Sequence, residues 1–429
     1  MYESDDENEI NSDPKFNNDD IENEDEDEDE EFFTPGSEEI TKARLYLVNY
    51  SLLKAKRRIA FQNQLLQIPL KDQLKYRRGV NDRLSRFELI GSNILSNRAI
   101  SSVKFSPLGD KIAMGSWAGE LKVLDSNLIS SINYDCIGSP DDKLSGIDWH
   151  PFSGISQNDR EISLATGNSS DNLIHLWSLE STKPISTLKG HDSRVIKTIF
   201  HPSGKFLASS SFDQTWRIWD LNKNKEVYLQ EGHSKEVYSI SFQCDGALMF
   251  SGGLDAIGRV WDLRIGKSIM VLNDHIKGIF ASDWSDNGYQ IATGGADCSI
   301  KIWDLRYNLK LDNQKNENNN TKPLFTIPAH NKLVSDIKFF KENANKINSI
   351  LNEFKPEMNS SSSTFLISSS YDGSLKIWSA DSWIKVKTLK GHIDNKIMSC
   401  DINTSGDKII SSGWDRSVRL WSNVSEDLI

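Results

Sequence analysis

Serine, histidine and aspartate side chains recur along this chain at spacings that could serve acyl-transfer chemistry. In one stretch, His233 is followed by Ser251, Asp255 and Trp261. A hydroxyl, an imidazole and a carboxylate in mutual hydrogen-bond contact are the three groups of a hydrolase triad, in which the serine attacks and the histidine moves the proton. An active site needs this nucleophile once, so the number of copies decides whether the set does chemistry.

The same four positions are filled five times. The sets are His191, Ser209, Asp213 and Trp219; His233, Ser251, Asp255 and Trp261; His275, Thr293, Asp297 and Trp303; His330, Ser368, Asp372 and Trp378; and His392, Ser411, Asp415 and Trp421. A buried carboxylate is costly unless donors surround it, and these residue types supply donors. Five copies therefore indicate structural tetrads, and the sequence predicts no catalytic residue.

The tetrads belong to a repeat. Trp177, Trp219, Trp261 and Trp303 follow one another at intervals of 42 residues, and two weaker units carry Gly167 or Leu124 at tetrad positions. Apolar and polar residues alternate with period two between short turns, which predicts four short strands per unit. Such units with Gly-His and Trp-Asp marks resemble the WD40 repeat. Seven units predict an all-β, seven-bladed WD40 β-propeller.

The last unit is one strand short. Only eight residues follow Trp421, and they are mostly polar. Natural sheets avoid an unpaired edge strand, because it offers its backbone groups to other chains. The segment RFELIGSN, residues 86–93, precedes the first unit and has an apolar centre. We predict that it supplies the outer strand of the last blade and closes the ring.

Charge divides the chain into three parts. Residues 1–31 carry 17 acidic residues and one lysine, whereas residues 32–84 carry 11 basic and 4 acidic residues. Dense like charge with little to bury disfavours folding. We predict a disordered acidic tail at 1–36, a basic helical arm at 37–84 and the propeller at 85–429, with surface insertions near 308–322 and 341–363. The tail is either a solvating segment or a mimic of nucleic-acid charge that screens a basic surface.

Other classes of ligand leave no mark on the sequence. No apolar run reaches the length of a membrane span, and the four cysteines form no CxxC pair. We therefore expect no membrane partner, no metal, no cofactor and no small-molecule substrate.

The arm is predicted to start as a helix at Ser37, with Glu38 and Glu39 at the positive end of the helix dipole. One apolar stripe is expected to pack on the propeller or on a partner. Its residues are Leu45, Val48, Leu52, Ala55, Ile59, Gln62 and Leu66. Basic residues that could contact RNA phosphates, a partner or the nuclear import machinery are Lys54, Lys56, Arg57, Arg58, Lys75, Arg77 and Arg78.

The turn before each tetrad aspartate predicts a partner-binding face. Tyr371, Trp414 and Trp117 occupy it in three neighbouring blades, and Phe212 occupies it in a more distant one. Large aromatics at tight turns favour an interface. Three lysines that follow the histidines would steer a partner electrostatically, unless they are ordinary solvated residues. They are Lys235, Lys277 and Lys332. Trp117 could alternatively patch the irregular first unit.

Several stretches resemble one family within the WD40 class. They are ARLYLVNYSLLKAKRRI (43–59), FHPSGKFLASSSFDQTWRIWDL (200–221), QEGHSKEVYSISFQCDGALMFSGGLDAIGRVWDLRIGKSIM (230–270) and NGYQIATGGAD (287–297). Together they resemble the WD40 splicing protein of the U4/U6 small nuclear ribonucleoprotein, the pre-mRNA-processing factor four family. Family members usually carry a Leu-Phe-Gly-Glu-like motif near the amino end, where this chain has its acidic segment.

The resemblance implies a nuclear, non-enzymatic scaffold of the U4/U6 and U4/U6·U5 particles. It implies that the propeller holds pre-mRNA-processing factor three, together with other proteins of the tri-snRNP, and helps to anchor the U4/U6 RNA duplex. The alternative is a generic WD40 adaptor, for instance in ubiquitin ligation or signalling. A generic propeller has no structural reason to share GGLDAIGRVWDLR, which favours the splicing family.

Overall fold

The computed structural model describes residues 38–127, 131–134, 143–154, 162–307, 321–341, 363–380 and 382–423. The acidic segment 1–36 and the parts of the insertions at 308–320 and 342–362 lie outside these residues. The described residues form two helices and 28 strands, and the strands make seven four-stranded antiparallel sheets. The predicted seven-bladed, all-β propeller is confirmed.

Each blade is a meander of four strands. The helices are α1 (Glu38–Leu66) and α2 (Leu70–Ser85), and the first strand is β1 (Phe87–Ile94). Blade 1 is β2 (Ile100–Phe105), β3 (Lys111–Ser116), β4 (Leu121–Asp125) and β5 (Ser131–Tyr134); blade 2 is β6 (Leu144–Trp149), β7 (Leu164–Asn168), β8 (Ile174–Trp177) and β9 (Ser186–Leu188); blade 3 is β10 (Val195–Phe200), β11 (Phe206–Ser211), β12 (Trp216–Asp220) and β13 (Lys225–Gln230). Blade 4 is β14 (Val237–Phe242), β15 (Leu248–Gly253), β16 (Gly258–Asp262) and β17 (Lys267–Leu272); blade 5 is β18 (Ile279–Trp284), β19 (Gln290–Gly295), β20 (Ser299–Asp304) and β21 (Phe325–Pro328). Blade 6 is β22 (Val334–Phe339), β23 (Phe365–Ser370), β24 (Ser374–Ser379) and β25 (Lys385–Lys390); blade 7 has β26 (Ile397–Ile402), β27 (Lys408–Gly413) and β28 (Ser417–Asn423).

The propeller has two chemically different faces. In blade 4, His233 precedes β14 and Asp255 follows β15, so both lie at one end of the sheet, which we call the histidine face. The turn between β14 and β15 lies at the other end. Its Gly246 has a φ of 77°, which favours glycine because a side chain there is strained. We call this end the arm face, because α1 contacts it.

The ring is closed by the strand that precedes the first blade. β1 pairs antiparallel with β28, from Phe87 opposite Asn423 to Ile94 opposite Ser417. The sheet order β1-β28-β27-β26 makes blade 7 four-stranded like the others. The predicted closure by residues 86–93 is confirmed, and its cause is the otherwise unpaired edge of β28.

The apolar core lies between neighbouring blades. Trp261 of blade 4 packs edge-on against Trp216 of blade 3, with ring centroids 5.5 Å apart, and both side chains are buried. Trp219 packs in the same way among buried residues of blade 2, including Ile174 and Leu188. Because apolar side chains gain from leaving water, the removal of one blade would expose its two neighbours.

Carboxylates of innermost strands join several blades to the next one. Asp148 of blade 2 accepts a 2.7 Å hydrogen bond from the backbone N–H of Phe200 in blade 3. Asp283 accepts from Phe339 across blades 5 and 6, and Asp401 accepts from Phe105 across blades 7 and 1, both at 2.8 Å. Burial raises the pKa of Asp401 to about 6 against the opposing effect of nearby lysines. These side chains are inter-blade links rather than acid–base groups for a substrate.

Histidines of the arm face make a second set of links. His201 in blade 3 donates from Nε2 to the carbonyl of Gly246 in blade 4, at 2.9 Å, and its Nδ1 accepts from the backbone N–H of Ser203 at 3.1 Å. The two bonds require the neutral imidazole. Burial lowers the pKa of His201 to about 4. In the next blade, Gln243 donates to the carbonyl of Gly288 from the corresponding place.

The arm lies across this face. Ile40 and Leu47 of α1 pack on Phe206 and Leu263 of blades 3 and 4. Further along α1, Arg58 makes an ion pair with Asp245 at 2.7 Å and donates to the carbonyl of Asn287 at 2.8 Å. In α2, Val80 and Leu84 are buried against the apolar cluster of blades 6 and 7, next to Phe87 of the closing strand.

The predicted apolar stripe lies against the propeller only in part: Val48, Ala55 and Gln62 are half-buried, and Gln62 donates to the carbonyl of Asn287 at 2.9 Å. The residues that α1 buries are Ile40, Leu47 and Ser51. Leu45, Leu52, Ile59 and Leu66 of the stripe are exposed instead. The turns of the arm face present aspartate and backbone carbonyl groups, so the helix docks through Arg58 and a mixed face rather than through its most apolar one.

The link made by His201 predicts a pH-dependent stability. A base whose pKa is lower in the folded chain than its ordinary value of 6.5 stabilises the fold fully above pH 6.5, and this contribution is lost as the pH falls towards 4. We expect the loss at pH 5 to be on the order of 2 kcal/mol. His201→Gln keeps a donor for Gly246, as Gln243 does for Gly288, and cannot be protonated. In urea titrations, the free energy of unfolding should fall less between pH 7.5 and pH 5 in this variant than in the wild type. An equal loss in both proteins would contradict the assignment.

Candidate partner interface

The structure brings the four side chains of each tetrad together. In blade 4, the Trp261 indole N–H donates to Ser251 Oγ at 2.8 Å, Ser251 lies 2.7 Å from His233 Nε2, and His233 Nδ1 lies 2.8 Å from Asp255. Since Asp255 only accepts when ionised, His233 donates to it from Nδ1, and Trp261 donates to Ser251. All four groups have partners, so no donor is left over for a substrate.

The four other tetrads repeat this geometry. His191, His275, His330 and His392 lie 2.7–3.0 Å from their aspartates and 2.6–2.9 Å from their hydroxyls. The indole N–H groups of Trp219, Trp303, Trp378 and Trp421 lie 2.8–3.0 Å from the same hydroxyls. The hydroxyl residues are Ser209, Ser251, Thr293, Ser368 and Ser411, and all are buried. A buried hydroxyl that already accepts an indole N–H cannot reach a substrate, which argues against nucleophilic chemistry at any tetrad.

Electrostatics keep the tetrad aspartates ionised. Burial alone would raise the pKa of Asp213, but the hydrogen bonds from His191 and Thr215 outweigh it and lower the pKa well below the ordinary range. The pKa of Asp297, Asp372 and Asp415 is lowered in the same way. The carboxylates are therefore charged acceptors at neutral pH and hold the turns of the histidine face in place.

Blades 1 and 2 lack the complete tetrad and form other hydrogen bonds in its place. In blade 2, where Gly167 stands at the hydroxyl position, Thr166 accepts the indole N–H of Trp177 at 2.9 Å. In blade 1, Ser116 is hydrogen-bonded to Ser96 at 2.6 Å, and Leu124 stands in place of the tryptophan. The tetrad spacing did not predict Thr166, because it places the hydroxyl residue one position later, at Gly167.

Aromatic side chains gather around the axis on the histidine face, and we call them the aromatic collar. They are Trp117, Phe212, Tyr238, Phe280, Tyr371 and Trp414. The backbone explains their position: the N–H groups of Trp117, Tyr371 and Trp414 donate to residues just before the innermost strands. Trp117 and Trp414 meet edge to face at 5.5 Å, so the predicted neighbours of blades 7 and 1 are in contact.

Cations are interleaved with the collar. Lys396 lies 4.3 Å from the ring of Trp414 and 5.1 Å from that of Tyr371. Lys143 lies over Trp117 at 5.6 Å, and Arg194 lies over Phe212 at 5.5 Å. The resulting surface combines apolar rings with positive charge, which suits an acidic peptide segment with apolar side chains.

Sequence reasoning placed some of these residues and missed others. Lys235, Lys277 and Lys332 are exposed on the histidine face, as their spacing suggested. The cations that contact the rings are nevertheless different ones, and Tyr238 and Phe280 were also missed. A signal existed: Lys143, Arg194 and Lys396 each stand directly before an innermost strand, and Tyr238 and Phe280 are second in theirs. Ile276 and Ile393, each next to a tetrad histidine, are 85% and 77% exposed.

The basic residues of the arm do not form one uniform set. Lys56, Arg57, Lys75, Arg77 and Arg78 are exposed. Arg58 is bound to Asp245, so its guanidinium anchors α1 on the propeller. Burial lowers the pKa of Lys54, whose ammonium lies 5.7 Å from the ring of Tyr50, so it too is directed towards the body.

Two kinds of feature are absent from the described residues. Histidine, cysteine, aspartate and glutamate residues nowhere gather there in a group that could hold a metal ion. Neither described helix has the length and apolar character that crossing a membrane requires.

A closed propeller of four-stranded blades with buried, repeated tetrads is the architecture of WD40 propeller proteins. The family WD40, described as WD domain, G-beta repeat, matches residues 182–220, 224–262, 266–304, 321–379 and 383–422.

Comparison with curated proteins resolves the family further. The chain is 44% identical over 394 residues to the U4/U6 small nuclear ribonucleoprotein PRP4 of Saccharomyces cerevisiae. This alignment covers 92% of the chain and 77% of the yeast protein. It is 34% identical over 138 residues to the U4/U6 small nuclear ribonucleoprotein Prp4 of Bos taurus, covering 32% of this chain and 26% of that protein. The chain belongs to the PRP4 family of WD40 proteins.

The tetrad geometry predicts a stability cost at each equivalent position. Asp255→Ala leaves His233 without its acceptor, and we expect a loss of about 1–3 kcal/mol in the free energy of unfolding. Asp213→Ala and Asp297→Ala should cost at least as much in urea titrations, because each loses the same histidine bond and also a hydroxyl donor, Thr215 or Ser299, that Asp255 lacks. If Asp255→Ala alone abolished partner binding at undiminished stability, the structural assignment of that residue would be wrong.

Proposed function

We propose that this chain is a non-enzymatic scaffold of the U4/U6 small nuclear ribonucleoprotein and of the U4/U6·U5 tri-snRNP in pre-mRNA splicing. In this role it acts in the nucleus, holds pre-mRNA-processing factor three beside other tri-snRNP proteins, and helps to anchor the U4/U6 snRNA duplex. The observation that carries the proposal is the similarity to yeast PRP4 over 92% of the chain, which includes arm and propeller together.

The chemistry of the described residues supports a binding role. The hydroxyl, imidazole and carboxylate sets are buried and mutually satisfied, so they supply neither a nucleophile nor a general base. The exposed chemistry consists of aromatic rings and cations on one face and basic side chains on the arm at the other. Both surfaces suit the binding of macromolecules, because aromatic rings contribute contact area and cations attract acidic surfaces or phosphates.

The aromatic collar is the surface we assign to the protein partner. Trp414 is 42% exposed, although Met398 supports its indole from below through a 3.0 Å contact with Nε1. Tyr371 is half-buried, and burial raises its pKa, so its phenol is neutral and can donate a hydrogen bond. Rigid rings with one exposed side lose little conformational freedom on binding, which is typical of interface hot spots.

A double substitution tests the collar. Trp414→Ala with Tyr371→Ala should weaken binding of pre-mRNA-processing factor three by at least about 2 kcal/mol, roughly 30-fold, measured by titration of the purified proteins. Melting temperatures must match that of the wild type. Phe325→Ala is the matched control, because Phe325 is 48% exposed on an outer strand of blade 5. Undiminished binding by the double variant would move the interface away from the histidine face.

The exposed basic residues of the arm are the surface we assign to RNA. Glutamate at Lys56, Arg57, Arg77 and Arg78 should weaken binding of a U4/U6 duplex and reduce the salt dependence of the affinity, by a slope of about one for each lost phosphate contact. Charge reversal at Lys235, Lys277 and Lys332 is the control on the opposite face. Equal effects of the two variants would indicate a response to net charge alone, and no effect of the arm variant would remove the arm from the RNA interface.

A further inference from the structure

A row of large apolar side chains on the arm faces solvent. Leu45, Leu52, Ile59 and Leu66 of α1 are 63%, 56%, 50% and 79% exposed. They recur every seven residues, so they lie along one side of the helix, and we call them the outer stripe. Single exposed leucines are ordinary on protein surfaces, but a continuous row over six turns of helix marks a contact surface.

The outer stripe does not contribute to the docking of α1 on the propeller. The docking face of α1 consists of other residues: Leu47 is buried in the cluster of blades 3 and 4, Tyr50 packs on His201 at 5.6 Å, and Arg58 pairs with Asp245. The helix is therefore fixed in orientation by polar and apolar contacts on one side. Its most regular apolar face is held outwards by the same contacts.

The spacing indicates a helical occupant. A seven-residue repeat keeps its apolar seam facing a second helix, whereas an extended segment would require a repeat of two. Three residues after members of the stripe stand Val48 and Ala55, which are half-buried between the stripe and the docking face. Together these residues form the a and d positions of a coiled-coil seam. The free seam ends before Gln62, the third d position, because the Gln62 amide donates to the carbonyl of Asn287 on the propeller at 2.9 Å.

The positive charge of α1 indicates which kind of helix could bind to the outer stripe. Lys42, Lys56 and Arg57 are exposed on α1, and no acidic residue of α1 follows Glu39. A second copy of this helix would bring like charges together, which opposes pairing. Phosphates would attract the basic residues but gain nothing from a leucine row. The acidic residues 1–31 have the required charge, but their few apolar residues do not recur at seven-residue intervals.

We propose that α1 forms a two-helix coiled coil with an amphipathic helix of a protein partner, whose leucine-type seam packs on the outer stripe and whose flanks are acidic. This inference is independent of which partner the aromatic collar holds.

The first test uses the full chain and synthetic 28-residue helices. One peptide carries leucine at a and d with glutamate at e and g, and a second carries lysine at e and g. The glutamate peptide should bind at least tenfold more tightly than the lysine peptide by fluorescence anisotropy. Leu52→Asp with Ile59→Asp should weaken it at least tenfold, whereas Leu324→Asp with Ile384→Asp, at two exposed sites on the propeller, should not. Equal binding of both peptides, or of both variants, would overturn the proposal.

The second test places a photoreactive benzoylphenylalanine at Leu52 or Ile59 in cells and purifies the chain through co-purifying U4/U6 RNA. Cross-linking should join α1 to an acidic heptad segment of another protein, identified by mass spectrometry. Cross-links to RNA, to residues 1–37 of the same chain or to a second copy, or no cross-links at all, would overturn the inference. Co-purification of the RNA without a protein cross-link would leave the proposed function standing. Failure to recover the RNA would count against the function and leave the peptide titration to decide the inference.

Discussion

Pairing of β1 with β28 is the constraint on which the rest of the molecule depends. A propeller has no continuous sheet, so its blades hold together only through side chains between neighbours and through the closure of the ring. The closing strand here is contributed by the residues that directly follow the arm, with Phe87 opposite Asn423. The same pairing therefore seals blade 7 and fixes where α2 must lie, since Val80 and Leu84 are buried just before the strand begins.

Closure also gives the buried charges their partners. Asp148, Asp283 and Asp401 each accept from the backbone of the next blade, and the last of these bonds crosses from blade 7 to blade 1. An unpaired buried carboxylate would be costly, and the bond of Asp401 forms only when blades 7 and 1 meet in the closed ring. The tetrads act within blades and these aspartates between them. Together they turn seven marginal sheets into a rigid support, on which exposed turns can hold large aromatic side chains.

Contacts within a repeat were easier to predict from the sequence than most contacts between repeats. Tetrad spacing identifies His233, Ser251, Asp255 and Trp261 because they belong to one blade, and the missing fourth strand of the last unit predicts the closure. Lys396 could not be paired with Tyr371 in this way, because the two residues meet only when blades 6 and 7 stand side by side. For the arm, the apolar periodicity left open whether the stripe packs on the propeller or on a partner. Asp245 and the carbonyl of Asn287 on the propeller select the face that carries Arg58.

The two faces are far more different than a repeat fold requires. Every blade could present the same turn, yet only one end of the ring has the aromatic collar, and α1 and α2 pack at the opposite end. A rigid ring with unlike ends can hold one partner on each without either obstructing the other. The arm increases this separation, because Arg58 fixes α1 to the ring while Lys56, Arg57 and the leucine row remain outside. The fold therefore contributes distance and orientation, and the unlike surfaces contribute selectivity, which is the physical basis of a scaffold.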